Sequence, residues 1–152
     1  MILRRTLLLV APGALAGCAT LNSPSQLATD VQLVASGVTA AVQQIAAIPG
    51  VSASVLTRVQ ADALTVSADA AKVAAAAASA TGGLVQQIAA AVKEIAALVL
   101  PLFPSTQPFV PLIEAALSLL PVLLASAGVS GSAGTTPVYT PEEARLILRG
   151  AA

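Results

Sequence analysis

Residues 24–48 read PSQLATDVQLVASGVTAAVQQIAAI, and within them Leu27, Val31, Val34, Val38, Ala41, Ile45 and Ile48 recur at alternating spacings of four and three. Side chains three and four apart share one face of a helix, so these positions form a continuous apolar heptad stripe. Gln32, Gln43 and Gln44 fall off it. Ser23 is placed to cap the helix, and Pro24 takes the first helical position, where its missing N–H costs nothing. Pro49-Gly50 closes the segment. Gly37 is its weak point, destabilising a helix interior by up to about 1 kcal/mol relative to Ala.

The same pattern continues outward. A second helix is predicted over 52–79, opened by Ser52 or Ser54, with Leu56, Val59, Ala63, Val66, Ala70, Val73 and Ala77 as its stripe. Its side chains shrink towards the end, and small residues let helices approach closely. Thr81-Gly82-Gly83 is expected to break it. A third helix over 84–100 carries Leu84, Ile88, Ala91, Ile95 and Leu98 on one face, with Lys93 and Glu94 as its only charges, before Pro101 and Pro104 stop it. VQQIAA stands at 42–47 and again at 85–90. Duplication of a helical hairpin and convergence in an Ala-, Val- and Gln-rich chain explain it equally well.

The fourth segment has another character. Phe109–Val129 is about one membrane span long, with Glu114 as its only charge. A helix is expected over 109–127, with Ser105 or Thr106 near its cap and Pro121 kinking it. Leu112, Ile113, Leu117, Leu119, Leu120, Leu123 and Leu124 surround the whole cylinder, which fits either the centre of a bundle or a bilayer. A flexible linker over 130–139 leads to a short amphipathic helix over 140–150. There Thr140 and Glu143 make a capping box, Pro141 opens the helix, and Arg145 and Arg149 suit its C-terminal end. The fold class is therefore all-α: a bundle of three to four helices over 26–129, followed by a short helix.

Composition narrows the function classes. Of 152 residues, 57% are hydrophobic and 9% charged, and the formal net charge is zero. A disordered chain would be poorer in apolar residues. Nucleic-acid binding would need a basic patch with stacking aromatics, and the few Lys and Arg are scattered. There is no His, so neither a Ser-His-Asp triad nor an imidazole metal site can be built. A single Cys allows no internal disulfide.

That Cys belongs to the first segment, MILRRTLLLVAPGALAGC, residues 1–18. Arg4 and Arg5 make a positive n-region, and an apolar run follows from about Thr6 to Ala11. Leu15-Ala16-Gly17-Cys18 resembles the lipobox of bacterial lipoproteins. The resemblance covers this segment alone. It implies a signal peptide over 1–17 and cleavage before Cys18. It further implies acyl chains of the palmitate kind on that residue, and a tether over 18–25 that lifts the body off the membrane. Each buried methylene contributes about 0.8 kcal/mol, so two or three chains anchor firmly where one does not. Ala19, where retained lipoproteins carry Asp, points to the outer membrane. Arg4-Arg5-Thr6-Leu7-Leu8 loosely resembles a twin-arginine motif, but a plain positive n-region accounts for it.

The mature chain holds seven acids, Asp30, Asp62, Asp69, Glu94, Glu114, Glu142 and Glu143. Asp62 and Asp69 share a helix face, but a carboxylate pair at work on a sugar needs a cleft and stacking aromatics. Only Phe103, Phe109 and Tyr139 are available, so a solvated face is expected for both. Glu114 is a functional candidate if its segment enters a bilayer; in a bundle it faces water or caps amides near the helix start. No catalytic, cofactor or metal site is expected.

The leading expectation is a non-enzymatic lipoprotein of the cell envelope, facing the periplasm. Its partners are the membrane, through lipid on Cys18, and a second copy or an envelope protein along the heptad faces; no nucleic acid is expected. Acylated Cys and Ala-rich heptads resemble the murein lipoprotein, although the Pro-Gly and Gly-Gly interruptions and the Gly-Ala-Ala end depart from it. The rival expectation is a membrane-active protein, resembling phage lysis or pore-forming components, that inserts the apolar hairpin 84–129.

Overall fold

The computed structural model describes residues 23–76, 80–130 and 134–151, which form five helices and no strand. α1 (Pro24–Ala46) starts where its cap demands: the Ser23 hydroxyl accepts the Gln26 N–H at 3.3 Å. It ends two residues before the predicted limit. Ala47 and Ile48 already turn back through hydrogen bonds to Gln43, Gln44 and Ile45, and Gly50 follows at φ 89°, a conformation only glycine adopts without strain. α2 (Ala53–Ala75) is capped by Ser52, whose hydroxyl accepts the Val55 N–H. It also stops short of the predicted end, because Ala76 has extended backbone angles. Ala77, the last position of its stripe, lies outside the described residues.

α3 (Thr81–Val99) departs most from expectation. Thr81-Gly82-Gly83 does not break a helix but begins one. First-turn N–H groups have no intrahelical partner, so glycine weakens little there. Gly82 also faces the Ala127 carbonyl oxygen at 3.4 Å from where a Cβ would stand, so the chain after the next helix packs close against it. α4 (Val110–Ser126) runs through Pro121 without ending. It closes in a Schellman arrangement: Val129 N–H reaches the Leu124 carbonyl, Gly128 N–H the Ala125 carbonyl, and Gly128 sits at φ 71°. α5 (Pro141–Ala151) is the predicted terminal helix, one residue displaced.

Packing joins α1 to α2, α2 to α3, α3 to α4 and α4 back to α1, a closed ring of four helices, with α5 laid over the α1–α4 seam. In α1 the heptad stripe is buried from Leu27 to Ile45, and in α2 from Val59 to Val73. α3 is gripped on two sides, so its buried arc is wider than one heptad line. Val85, Val92, Ala96 and Val99 are buried with Ile88, Ala91 and Ile95, whereas Leu84 and Leu98 are half-buried. α4 touches α1, α3 and α5. Its all-round apolar surface is thereby accounted for: Leu112, Ile113, Leu119, Leu120, Leu123 and Leu124 are buried, and Leu117 is half-buried. Among the described residues one helix, Thr81–Val99, is long and apolar enough to cross a membrane by length and composition, and 44% of that window is buried in the bundle.

Candidate functional site

The run Leu15-Ala16-Gly17-Cys18 that resembles a lipobox lies outside the described residues, which open at Ser23, the cap of α1. The acids are all described, and the fold disperses them. Glu94 meets Arg58 in an exposed pair at 2.7 Å between α3 and α2. Asp62 stands half-buried near this pair, and its Oδ2 has no hydrogen-bond partner. Burial pushes its carboxyl above the ordinary value, Glu94 adds to the rise, and Arg58 opposes it. Asp69 corrects the expectation of a solvated face. Its side chain is 3% exposed and holds Lys72 at 2.8 Å. Asp69 thus pairs with Lys72, while Asp62 stands beside the Arg58–Glu94 pair.

The raised Asp62 value has a sign that can be measured. The folded chain holds this proton more tightly than the unfolded chain, so stability falls as pH rises from 3.8 through the folded value. Asp62→Asn is therefore expected to raise the melting temperature at neutral pH, and the gain should vanish in melts recorded below pH 3.8. A lower melting temperature at neutral pH would show that Arg58 outweighs burial.

The densest polar constellation lies between α1, α4 and α5. Arg145 on α5 donates through Nε to Asp30 Oδ1 at 2.9 Å and through Nη2 to Asp30 Oδ2 at 2.7 Å. Asp30 is 2% exposed and Arg145 14%, so this is a two-pronged charge pair largely removed from water. Its hydrogen bonds raise the guanidinium further above its ordinary value, while burial opposes them. Glu142, exposed, approaches the outer Nη1 at 3.7 Å. One turn along, fully buried Leu148 fits against Gly37, and a Cβ on Gly37 would overlap Leu148 Cδ2. The weak point of α1 is the notch that seats α5.

On the α4 side, Ser118 is the organiser. Its buried hydroxyl donates to the Glu114 carbonyl at 2.8 Å and accepts the N–H groups of Val138 and Tyr139 at 3.1 and 3.2 Å. Every hydrogen-bonding capacity of that oxygen is used. Residues 138–139 are thereby fastened to α4, against the expectation of a flexible linker reaching to 139. Glu114 neither caps amides nor stands alone: its carboxylate accepts the Tyr139 hydroxyl at 3.3 Å. Burial and the Glu114 carboxylate raise the Tyr139 hydroxyl above its ordinary value. The capping box forms as predicted. Thr140 N–H and hydroxyl donate to Glu143 Oε2 at 2.9 and 2.8 Å, and Glu143 N–H returns to the Thr140 hydroxyl at 3.4 Å. These bonds hold the Glu143 carboxyl below the ordinary carboxylate range.

A second feature is an open groove of about 360 Å³ between α1 and α2, lined by Thr39, Val42, Ala46, Gln60, Ala63 and Leu64 among others. Leu64 is 71% exposed at its edge. Among the described residues no group of three or more carboxylate, His or Cys side chains is placed to hold a metal ion. Comparison with known proteins finds no matching family model, no matching curated protein and no matching solved structure.

Proposed function

We propose that the chain is a lipid-anchored protein of the bacterial envelope. Acyl chains on Cys18 would hold a helical body at the membrane surface for structural or interaction work rather than catalysis. The observation that carries this reading is the succession Arg4-Arg5, the apolar run 6–11, and Leu15-Ala16-Gly17-Cys18, followed after a short polar tether by Pro24 at the start of α1. The tether expected over 18–25 would keep the body close to the lipid, and α1, 23 residues long, reaches about 35 Å along its own axis at 1.5 Å per residue. In the same reading the exported, lipid-anchored chain faces the periplasm, and Ala19 favours the outer membrane over the inner. The six heptad positions within α1, Leu27 to Ile45, are spent on the bundle's own interior. A partner of the folded body would therefore meet the outer surfaces instead.

A second reading, insertion of the hairpin 84–129, is favoured by one observation: α3 is long and apolar enough to span a bilayer. What weighs against it is the cost of withdrawing buried α4 side chains from α1 and α5 while carrying Lys93 and Glu94 into lipid. Cys18→Ala separates the two. The anchored reading expects the substituted protein to lose its N-terminal acyl mass and to leave the membrane fraction in alkaline carbonate, whereas the unsubstituted protein stays. Retention of Cys18→Ala in carbonate-washed membranes would overturn the anchored reading in favour of the inserted one.

A further inference from the structure

We infer that the cleft between α1 and α4 is a receptor site for an Arg-x-x-Leu helix, filled in cis by α5 and open to α5 of a second copy of this chain. Each reading element of the cleft lies on α1 or α4: the buried Asp30 carboxylate, the Gly37 notch, the Ser118 hydroxyl and the Glu114 carboxylate. Each complementary element lies within 138–148: Arg145, Leu148, the Val138 and Tyr139 amides, and the Tyr139 hydroxyl.

Two facts mark this as recognition rather than general packing. Asp30 is buried in an otherwise apolar stripe, where a lone charge is strongly unfavourable, so the cleft discriminates for a guanidinium. Gly37 weakens α1 relative to Ala, and what it gains is room for one leucine. The occupant is also self-contained, because the Thr140–Glu143 box starts α5 from within its own sequence. The cleft therefore reads side chains and two amides, and nothing in that reading depends on which chain supplies them. Cis occupancy prevails because tethering sets an effective concentration of order millimolar. Copies held on one membrane would compete with it, but the cleft's selectivity does not depend on anchoring.

The test uses a labelled peptide of residues 137–151 and the full chain carrying Arg145→Ala and Leu148→Ala, whose own α5 no longer fits. The expected result is saturable binding, at least about tenfold tighter than to the unsubstituted chain, whose site is occupied. Adding Asp30→Arg should weaken binding by about tenfold or more, and a peptide carrying Arg145→Glu should restore it. Binding that ignores Asp30→Arg, or no binding by a variant that circular dichroism shows still helical, overturns the proposal. If the variant does not fold, hydrogen exchange on the unsubstituted chain decides. Millimolar peptide should hasten exchange in α5 while leaving α2 and α3 unchanged, and unchanged α5 exchange overturns the proposal.

Discussion

Arg145→Ala is expected to destabilise the protein by about 3–5 kcal/mol, the usual consequence of removing one partner of a buried ion pair. The loss comes less from the missing bond than from the Asp30 carboxylate left behind at 2% exposure with its partner gone. Two responses are open to the chain. It can keep α5 docked over an uncompensated charge, or release α5 so that water reaches Asp30. The second caps the loss at the free energy of docking α5, and Leu148 then leaves its notch at Gly37. Urea unfolding measures the total, and hydrogen exchange in α5 distinguishes the responses. Arg145→Lys keeps the charge without the two-pronged geometry, so an intermediate loss is expected. The pair Asp30→Leu with Arg145→Met should recover most of the stability, since apolar replacement of a whole buried pair is often neutral or better. A loss below about 1 kcal/mol in Arg145→Ala, the range of exposed pairs, would show that Asp30 is solvated in the folded protein.

How much of this was legible in the chain depends on the range of the interaction. Ser23, Ser52 and the Thr140–Glu143 box act within one helical turn, and each caps where its spacing indicates. The α1 stripe from Leu27 to Ile45 and the α2 stripe from Val59 to Val73 are buried as their spacing indicates, because a heptad line is a local pattern that one neighbouring surface is enough to bury. α3 buries more than its heptad line, for it lies between two neighbours. It starts at Thr81, ahead of the two glycines, because first-turn N–H groups have no intrahelical bonds for glycine to weaken.

The Asp30–Arg145 pair lies beyond any local rule, its members 115 positions apart. Half of it was nevertheless visible. Asp30 follows Leu27 by three and precedes Val34 by four, so it stands on the apolar face of α1, where an acid requires a partner. Nothing in spacing says which of the scattered cations supplies it. Ser118 is hidden for another reason: a hydroxyl in a leucine-rich helix reads as filler until the fold brings two amides to it. Cys18 is the reverse case. The role proposed for it rests entirely on the local run Leu15-Ala16-Gly17-Cys18.

Phe109→Ala is expected to cost about 3–5 kcal/mol, with roughly 0.5–1.5 kcal/mol of that from the lost aromatic pair. Phe109 is fully buried at the entrance to α4, and its ring meets that of Phe103 edge to face at 5.1 Å and 89°. The helix start here has no side-chain cap, in contrast to the expected role of Ser105 or Thr106. Turns closed by Gln107 N–H on the Pro104 carbonyl and Val110 N–H on the Gln107 carbonyl bring the chain in, so packing of Phe109 takes over the anchoring. Phe109→Leu should retain most of the stability, because it keeps much of the buried apolar surface. Phe103→Ala should cost less than Phe109→Ala, since Phe103 is only half-buried. The magnitude also separates the two functional readings. In water the ring is held by the hydrophobic effect as well as by packing. In a bilayer the surrounding lipid is as apolar as the core, and only packing is lost. A urea-unfolding loss near the full value supports α4 as a bundle helix in water, and a loss confined to about 1 kcal/mol would favour the inserted hairpin.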